Sequence, residues 1–139
     1  MNNSDLTSAS RSRNMAAIRG KDTLPELNVR RMLHGLGLRF RLHRRDLPGR
    51  PDIVLPRHRT VVFVHGCFWH RHEACRYTTT PKTRLAFWQA KFDANVARDH
   101  RNRVALEEMG LRVLVVWECE LRNAEALRDR LKAAFAPPG

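Results

Sequence analysis

Two short β-branched runs constrain the fold of this chain more than any other feature of its sequence. Residues 52–55 (DIVL) and 60–64 (TVVFV) are separated only by PRHR, and neither run alternates apolar with polar residues. Runs of this kind are typical of neighbouring strands that are buried on both faces. A third run, residues 111–117 (LRVLVVW), is the most hydrophobic strand-like segment of the chain. We therefore expect a sheet with helices packed on both of its faces.

Helix start and stop signals predict the elements around these strands. Thr23 is a suitable N-cap, Glu26 follows it at the spacing of a capping box, and Gly35 lies where the helix should stop. A second helix-forming stretch runs from near residue 82 to residue 108, with room for a break, and Asn123 is placed to cap a final helix.

An alternating segment completes the predicted order of elements. Residues 38–42 alternate apolar and polar side chains, which predicts a half-exposed strand. The order is then helix, three strands, helix, strand, helix, which is typical of an α/β sandwich with a mixed sheet. A chain of 139 residues that is 42% hydrophobic can bury one proper core. We expect a single domain over residues 23–139, preceded by a polar arm over residues 1–22.

The charge of the chain points to a polyanionic partner. Lys and Arg number 26 against 14 for Asp and Glu, which gives a formal net charge of +12. No apolar run approaches the ~20 residues that span a bilayer, so nucleic acid is a better candidate than a membrane. The amino terminus has no hydrophobic region of a signal peptide, and we expect a cytoplasmic protein.

A cluster of cysteine and histidine residues predicts a metal centre. Cys67, His72 and Cys75 have the spacing C-x4-H-x2-C, and Cys119 follows the last predicted strand. Thiolates and neutral imidazoles at short spacings are the ligands of tetrahedral Zn²⁺, and four of them make a closed, structural site. The alternative is three buried cysteines that never meet. A disulfide is less plausible, because cytosolic thiols are normally reduced.

A second set of residues has the chemistry of phosphodiester hydrolysis. The zinc set leaves His65 and His70 free to exchange a proton near neutral pH. Asp52 opens one predicted strand, and together with a carbonyl at the end of the neighbouring strand it could hold a hard cation such as Mg²⁺. The alternative is that Asp52 is an ordinary turn residue and that the histidines are surface or core groups.

The order of these residues resembles that of the restriction-endonuclease-like nucleases, which have an α/β/α sandwich. In those proteins a helix-borne glutamate, a Pro-Asp pair and a second strand carry the metal site, and here Glu26, Pro51-Asp52 and residues 63–65 fall in that order. The chain departs from the pattern in one respect: Phe63 and His65 stand where those nucleases usually carry an acidic residue and a lysine.

Five strings resemble one family closely, the very-short-patch-repair DNA mismatch endonucleases. They follow the order of that family's sequence blocks and cover most of the chain: SRNMAAIRGKDTLPE (12–26), LPGRPDIV (47–54), VVFVHGCFWHRHEAC (61–75), FWQAKFDANVARD (87–99) and LRVLVVWECEL (111–121). The resemblance implies that the protein nicks one DNA strand 5′ to the thymine of a T·G mismatch, such as arises when 5-methylcytosine deaminates.

The resemblance also implies a role for each candidate residue. Asp52 and the main-chain carbonyl of Val64 would hold Mg²⁺ with His65 beside it, His70 would be the general base or acid, and Glu26 would support the site. The structural zinc would be held by Cys67, His72, Cys75 and Cys119.

The same resemblance assigns residues to DNA binding. Phe68 and Trp69 would enter the base stack beside the mismatch, joined by Trp88. In the arm, Met15 and Ile18 would insert into the minor groove. Apart from the resemblance, Arg19, Lys21, Lys91 and Asn95 are candidates for base-edge contacts, and the sequence by itself assigns none of them. The alternative for the aromatic residues is ordinary core packing.

Two other functions fit parts of this pattern. A site-specific or general nuclease of a restriction system could share the fold, and a non-enzymatic zinc module could share the charge and the aromatic residues. We expect a monomer that acts on double-stranded DNA, with mismatch-repair proteins as candidate partners.

Overall fold

A four-stranded mixed sheet lies at the centre of the computed structural model, which describes residues 23–137. The elements in chain order are α1 (Leu24–Gly35), β1 (Arg41–Leu42), β2 (Ile53–Leu55), a 3₁₀ turn (Pro56–His58), β3 (Thr60–His65), α2 (Cys67–His70), α3 (Leu85–Glu108), β4 (Arg112–Trp117), a 3₁₀ segment (Glu118–Asn123) and α4 (Ala124–Ala134).

The sheet brings the ends of two distant strands together. Its order is β1-β2-β3-β4, in which β1–β2 and β2–β3 are antiparallel and β3–β4 is parallel. In the parallel pair the register places Thr60 opposite Arg112 and His65 opposite Trp117. The chain segments that leave β3 and β4 therefore start from the same edge of the sheet, and the predicted mixed sheet is confirmed.

Helices cover both faces of the sheet, as the β-branched runs predicted. On one face, side chains of β2, β3 and β4 pack with Val29 and Leu33 of α1 and with Leu127 and Leu131 of α4. On the other face, the alternate residues of the same strands pack against Leu106 of α3. Because successive strand residues point to opposite faces, all three residues of β2 are buried.

Two local predictions differ from the structure, and one short helix was missed. The strand expected over residues 38–42 is limited to Arg41–Leu42. Leu38 still belongs to the turn after α1, because its amide donates to the carbonyl of Leu33. Phe40 packs against the core between the sheet and α1. Thr23 is the N-cap of α1, but the Glu26 carboxylate turns inward instead of closing a capping box. Helix α2 was not predicted.

Helix α3 is continuous and mostly exposed. It has 24 residues without a break, and within it only Phe92 and Leu106 are buried. Across residues 23–137, no helix combines the length and the apolar character that are needed to cross a bilayer.

Candidate active site and metal centre

The first part of the site is a cluster of three side chains, which come from α1, from the loop after β1 and from the residue directly before β2. Candidate ligand atoms of Glu26, His43 and Asp52 lie within 4.8 Å of one another. Glu26 is 2% exposed and accepts hydrogen bonds from Arg30 and, at 2.9 Å, from Nε2 of His43. Glu26 is therefore a buried carboxyl group with two hydrogen-bond donors, which fix its position next to Asp52.

Asp52 is anchored to the neighbouring strand. The main-chain N–H of Val64 donates to Oδ2 of Asp52 at 2.8 Å, across the β2–β3 pair. Burial, helped by the negative charge of Glu26, raises the pKa of Asp52 to about 6, although the Val64 amide opposes the shift. Two carboxyl groups held close together in a buried site favour the binding of a cation, and their hard oxygen atoms suit Mg²⁺. The residues present therefore fit the predicted metal.

The second part of the site is a pair of stacked histidines. The rings of His65, at the end of β3, and His70, at the end of α2, lie 3.8 Å apart and only 4° from parallel. Nδ1 of His70 lies 2.7 Å from Oδ2 of Asp99 on α3. Because a carboxylate only accepts, Nδ1 is the donor, and Nε2 of a neutral His70 ring is then free to accept a proton.

His65 has a different electrostatic character from His70. Burial, together with the nearby His70, lowers the pKa of His65 to about 3. His65 is therefore neutral at physiological pH, and its ring can lie against a protonated His70 without placing two cations in contact.

Two adjoining cavities meet at these residues. A large cleft of about 1060 Å³ and a smaller one of about 360 Å³ are both lined by Asp52, Val64, His65 and His70. The large cleft also has a basic wall, formed by Arg45, Arg50, Arg98 and Arg103. A polyanionic strand in this cleft would pass both the carboxylates and the histidines.

The predicted zinc ligands meet at the common edge of β3 and β4. Cys67 begins α2, His72 and Cys75 follow it in a loop, and Cys119 lies in the 3₁₀ segment after β4. Their candidate ligand atoms lie within 4.8 Å of one another, and Nδ1 of His72 is 3.4 Å from the sulfur of Cys119. Sulfurs at ~2.3 Å from a tetrahedral zinc are ~3.8 Å apart, so the cluster needs only a small contraction to bind the metal.

The chemistry of the thiols also fits a cation. All three cysteines are free, and burial raises the pKa of Cys67 to about 12. Although burial acts to raise it, hydrogen bonds from the amide of Tyr77 and from His72 and Thr78 lower the pKa of Cys75 to about 6. Cys75 is thus a thiolate at neutral pH, and a bound cation would supply the charge that Cys67 needs to ionise.

The aromatic residues predicted to contact DNA form one half-buried cluster. Phe68 packs against Trp69 at 5.1 Å and against Phe92 of α3 at 5.1 Å, both edge to face. Trp88 of α3 lies 6.0 Å from each of Phe68 and Trp69. Only Phe92 is fully buried, so the other three rings keep exposed surface and are not ordinary core residues.

Asn95 has a structural contact that its sequence position did not suggest. Its side-chain amide donates to the main-chain oxygen of Trp69 at 3.2 Å, which ties α3 to α2. Asn95 is also a candidate for base-edge contacts, and in the structure its side-chain nitrogen contacts the aromatic cluster.

Sequence reasoning missed two residues of the site, and part of the predicted set lies outside the described residues. His43 had no local signal, and Asp99 was only the last residue of a resembling string. Met15, Ile18, Arg19 and Lys21 fall in the undescribed residues 1–22.

Comparison with known proteins identifies the family of this chain. The family model described as DNA mismatch endonuclease Vsr matches residues 4–76. The type II nicking enzyme V.XorIIP of Xanthomonas oryzae is 54% identical over 88% of this chain and 90% of its own length. The DNA mismatch endonuclease Vsr of Escherichia coli is 50% identical over 87% of this chain and 77% of its own length. The type II nicking enzyme V.NmeAIP of Neisseria meningitidis is 45% identical over 91% of this chain and 89% of its own length.

The family match includes Asp52, the stacked histidines and three of the four candidate zinc ligands. The family match covers more than half of the chain, and each of the three relatives aligns over most of both lengths. The chain therefore belongs to the Vsr family of DNA mismatch endonucleases.

Proposed function

We propose that this protein nicks one strand of double-stranded DNA on the 5′ side of the thymine in a T·G mismatch, by Mg²⁺-dependent phosphodiester hydrolysis. The observation that carries the proposal is the meeting of Asp52, Val64, His65 and His70 at the junction of two cavities, one of them with an arginine-rich wall. The same proposal includes a restriction-endonuclease-like α/β/α fold. It also includes a monomer that acts on its DNA in the cytoplasm.

The proposed chemistry divides between a cation and a proton-transfer pair. Asp52 and the main-chain carbonyl of Val64 would hold Mg²⁺, and Glu26 would add negative charge behind Asp52. The cation supplies Lewis acidity at the phosphate. His70 takes the proton from the attacking water at Nε2, and the water oxygen bonds to phosphorus. One phosphorus–ester oxygen bond breaks, and the alkoxide that leaves takes up a proton from solvent water. Asp99 orients the His70 ring and stabilises the imidazolium that forms.

The proposed zinc centre has a structural role. With Cys67, His72, Cys75 and Cys119 as ligands, no position remains open for substrate. The centre would link α2, which carries Phe68, Trp69 and His70, to the segment after β4. It would thereby hold the aromatic cluster and His70 in a fixed relation to the sheet.

The aromatic cluster gives a physical basis for mismatch selection. Phe68, Trp69 and Trp88 keep exposed ring surface, and Trp69 lines the smaller cavity together with His70. Separating two base pairs costs a few kcal/mol, and it costs least at a mismatched step. An aromatic wedge therefore converts the local weakness of a T·G step into selectivity.

The test is a nicking assay on a labelled duplex that contains one T·G mismatch, beside paired T·A and C·G duplexes, with and without Mg²⁺. We expect one Mg²⁺-dependent cut on the thymine strand only. Asp52→Ala and His70→Ala should abolish the cut while zinc content and DNA binding are kept. Asp46→Ala is the matched control, because Asp46 is exposed and pairs only with Arg44 in the described residues.

Other outcomes favour the rival functions. Equal cutting of all three duplexes supports a general or restriction-type nuclease on the same fold. Binding without any product, under every divalent metal tested and in several sequence contexts, supports a non-enzymatic zinc DNA-binding module. Full activity of a metal-checked Asp52→Ala sample removes the metal role of that carboxylate.

A further inference from the structure

Arg71, which lies between the proposed catalytic residue His70 and the proposed zinc ligand His72, has an unusual set of contacts. Arg71 ends α2 in the left-handed backbone region, at φ 54° and ψ 58°, and its amide donates to the carbonyl of Cys67. Non-glycine residues adopt this conformation at some cost, so the surrounding contacts must hold it. The reversal of the chain at Arg71 directs its side chain back over α2.

The edge of the Arg71 guanidinium joins α2 to the segment that leads into α3. Nη1 donates to the main-chain oxygens of Phe68 at 3.2 Å and Thr79 at 2.9 Å, and Nη2 donates to Oγ1 of Thr80 at 2.8 Å. Three acceptors from two separate segments are thus bound by one planar group. The loop between these segments contains His72 and Cys75, so Arg71 also closes the zinc-type loop.

The face of the same guanidinium lies on the aromatic cluster. Its central carbon is 3.9 Å from the centre of the Phe92 ring and 5.7 Å from that of Phe68. Phe92 is 1% exposed and is the one buried side chain in the first half of α3. The half of α3 that presents Trp88 is therefore attached to α2 by the stack of Arg71 on Phe92, together with the Asn95–Trp69 hydrogen bond.

We propose that Arg71 is a positioning residue for mismatch recognition: it fixes α2 against α3, so that Phe68, Trp69 and Trp88 are held as a rigid wedge before DNA is bound. The inference rests on the proposed mismatch activity and deepens it. An ordered wedge loses little conformational entropy on insertion, whereas a loose one must be ordered at the expense of binding. Lysine cannot replace Arg71, because an ammonium group has neither the planar fork nor the stacking face.

The experiment compares two charge-neutral variants and one charge-preserving variant in the full-length, zinc-loaded protein. Arg71→Gln removes the contacts and the charge, and Arg71→Lys removes the contacts but keeps the charge. Arg76→Gln is the control: Arg76 lies in the same loop, is exposed, and stacks only on Tyr77 at 5.0 Å among the described residues, so it reports the loss of charge alone. Zinc content and Tm are measured for every variant.

Two readouts separate positioning from a general structural effect. The first is nicking kinetics, in which both Arg71 variants should raise KM for the T·G duplex by about 10-fold or more, from the loss of several hydrogen bonds and a cation–π contact, while kcat changes less than ~3-fold. The second is the fluorescence of 2-aminopurine placed beside the T·G pair. It should rise on saturation with the wild type and with Arg76→Gln, and much less with Arg71→Lys.

Each result bears on the proposal. Unchanged KM and unchanged 2-aminopurine fluorescence in Arg71→Lys overturn it, as does an equal effect of Arg76→Gln and Arg71→Gln. If the wild type unstacks the T·G step but does not nick it, the catalytic proposal fails while the fluorescence still tests Arg71. If the wild type does not unstack the T·G step, the wedge and the role of Arg71 are both wrong.

Discussion

The metal-free fold should become more stable when its proposed metal ligand is neutralised. Burial raises the pKa of Asp52 to about 6 from its ordinary 3.8. The difference of about 2 corresponds to about 3 kcal/mol against the charged form at neutral pH, at ~1.4 kcal/mol per pKa unit. Asp52→Asn removes this charge and keeps an oxygen that can accept from the Val64 amide.

The expected gain in the free energy of unfolding is smaller than the electrostatic contribution of the Asp52 charge. The Asn side chain leaves an amide N–H₂ group in a partly buried place, which costs about 1–2 kcal/mol where it finds no acceptor. We therefore expect Asp52→Asn to stabilise the zinc-loaded, Mg²⁺-free protein by about 1–2 kcal/mol at pH 7.5, or about 4–8 °C in Tm for a domain of this size.

The pH dependence identifies the cause. A carboxyl with a raised folded pKa binds more protons in the folded state than in the unfolded state, so its unfavourable contribution develops as pH rises from about 4 to about 6. The advantage of Asp52→Asn over the wild type should therefore be present at pH 7.5 and disappear near pH 4. Comparing variant with wild type at each pH removes the effect of all the other titrating groups.

The assay is urea and thermal unfolding at both pH values, with and without Mg²⁺. Mg²⁺ should stabilise the wild type and leave Asp52→Asn unchanged, and Asp46→Asn should behave as the wild type. A destabilised Asp52→Asn protein at pH 7.5, or an advantage that is the same at pH 4, refutes the electrostatic reasoning.

Three further predictions test other parts of the structure. Asp99→Asn should lower kcat for nicking by about 10²-fold or more, because His70 loses the carboxylate that orients its ring, with little change in Tm; a change smaller than ~3-fold contradicts the assigned pair. Cys119→Ser should reduce bound zinc, measured by a chromophoric chelator, and lower Tm, because one of four clustered ligands is lost; full zinc retention argues against a Cys₃His centre. Leu33→Ala should destabilise the fold by about 2–5 kcal/mol in urea unfolding, because Leu33 is fully buried, whereas Leu24→Ala should change stability little, because Leu24 is 67% exposed.

The parts of the fold that were predictable are those with strong local signals. The β-branched runs of β2 and β3 have no polar face, so their burial on both sides follows from the sequence, and the Thr23 cap needs only one local hydrogen bond. Helix α2 has four residues, which is too short for any apolar period to appear. Strand β1 is shorter than its alternation suggests, because neighbouring residues are drawn into the core by α1.

The residues of the site also divide into those with a local sequence signal and those that only tertiary folding brings together. Zinc-type ligands were predictable because three of them share one loop, and Asp52 because it opens a strand. His43 and Asp99 were missed because their partners, Glu26 and His70, are 17 and 29 residues away in the chain and meet them only through tertiary folding. Arg71 was passed over as one charge among 26 basic residues, since nothing in the sequence shows that its guanidinium stacks on Phe92.

The parallel pairing of β3 with β4 affects when the site can form during synthesis of the chain on the ribosome. His65 lies against Trp117, and the ring of Trp117 stacks on His72 at 4.2 Å. A nascent chain that has emerged only through α3 has Asp52 and both candidate catalytic histidines, but it lacks β4 and Cys119. Strand β3 is then paired only with β2, and its other side lacks the strand that completes the sheet beside the proposed site. We therefore expect DNA-cutting competence to arise late in synthesis, after the last strand has joined the sheet, so that incomplete chains do not cut the genome.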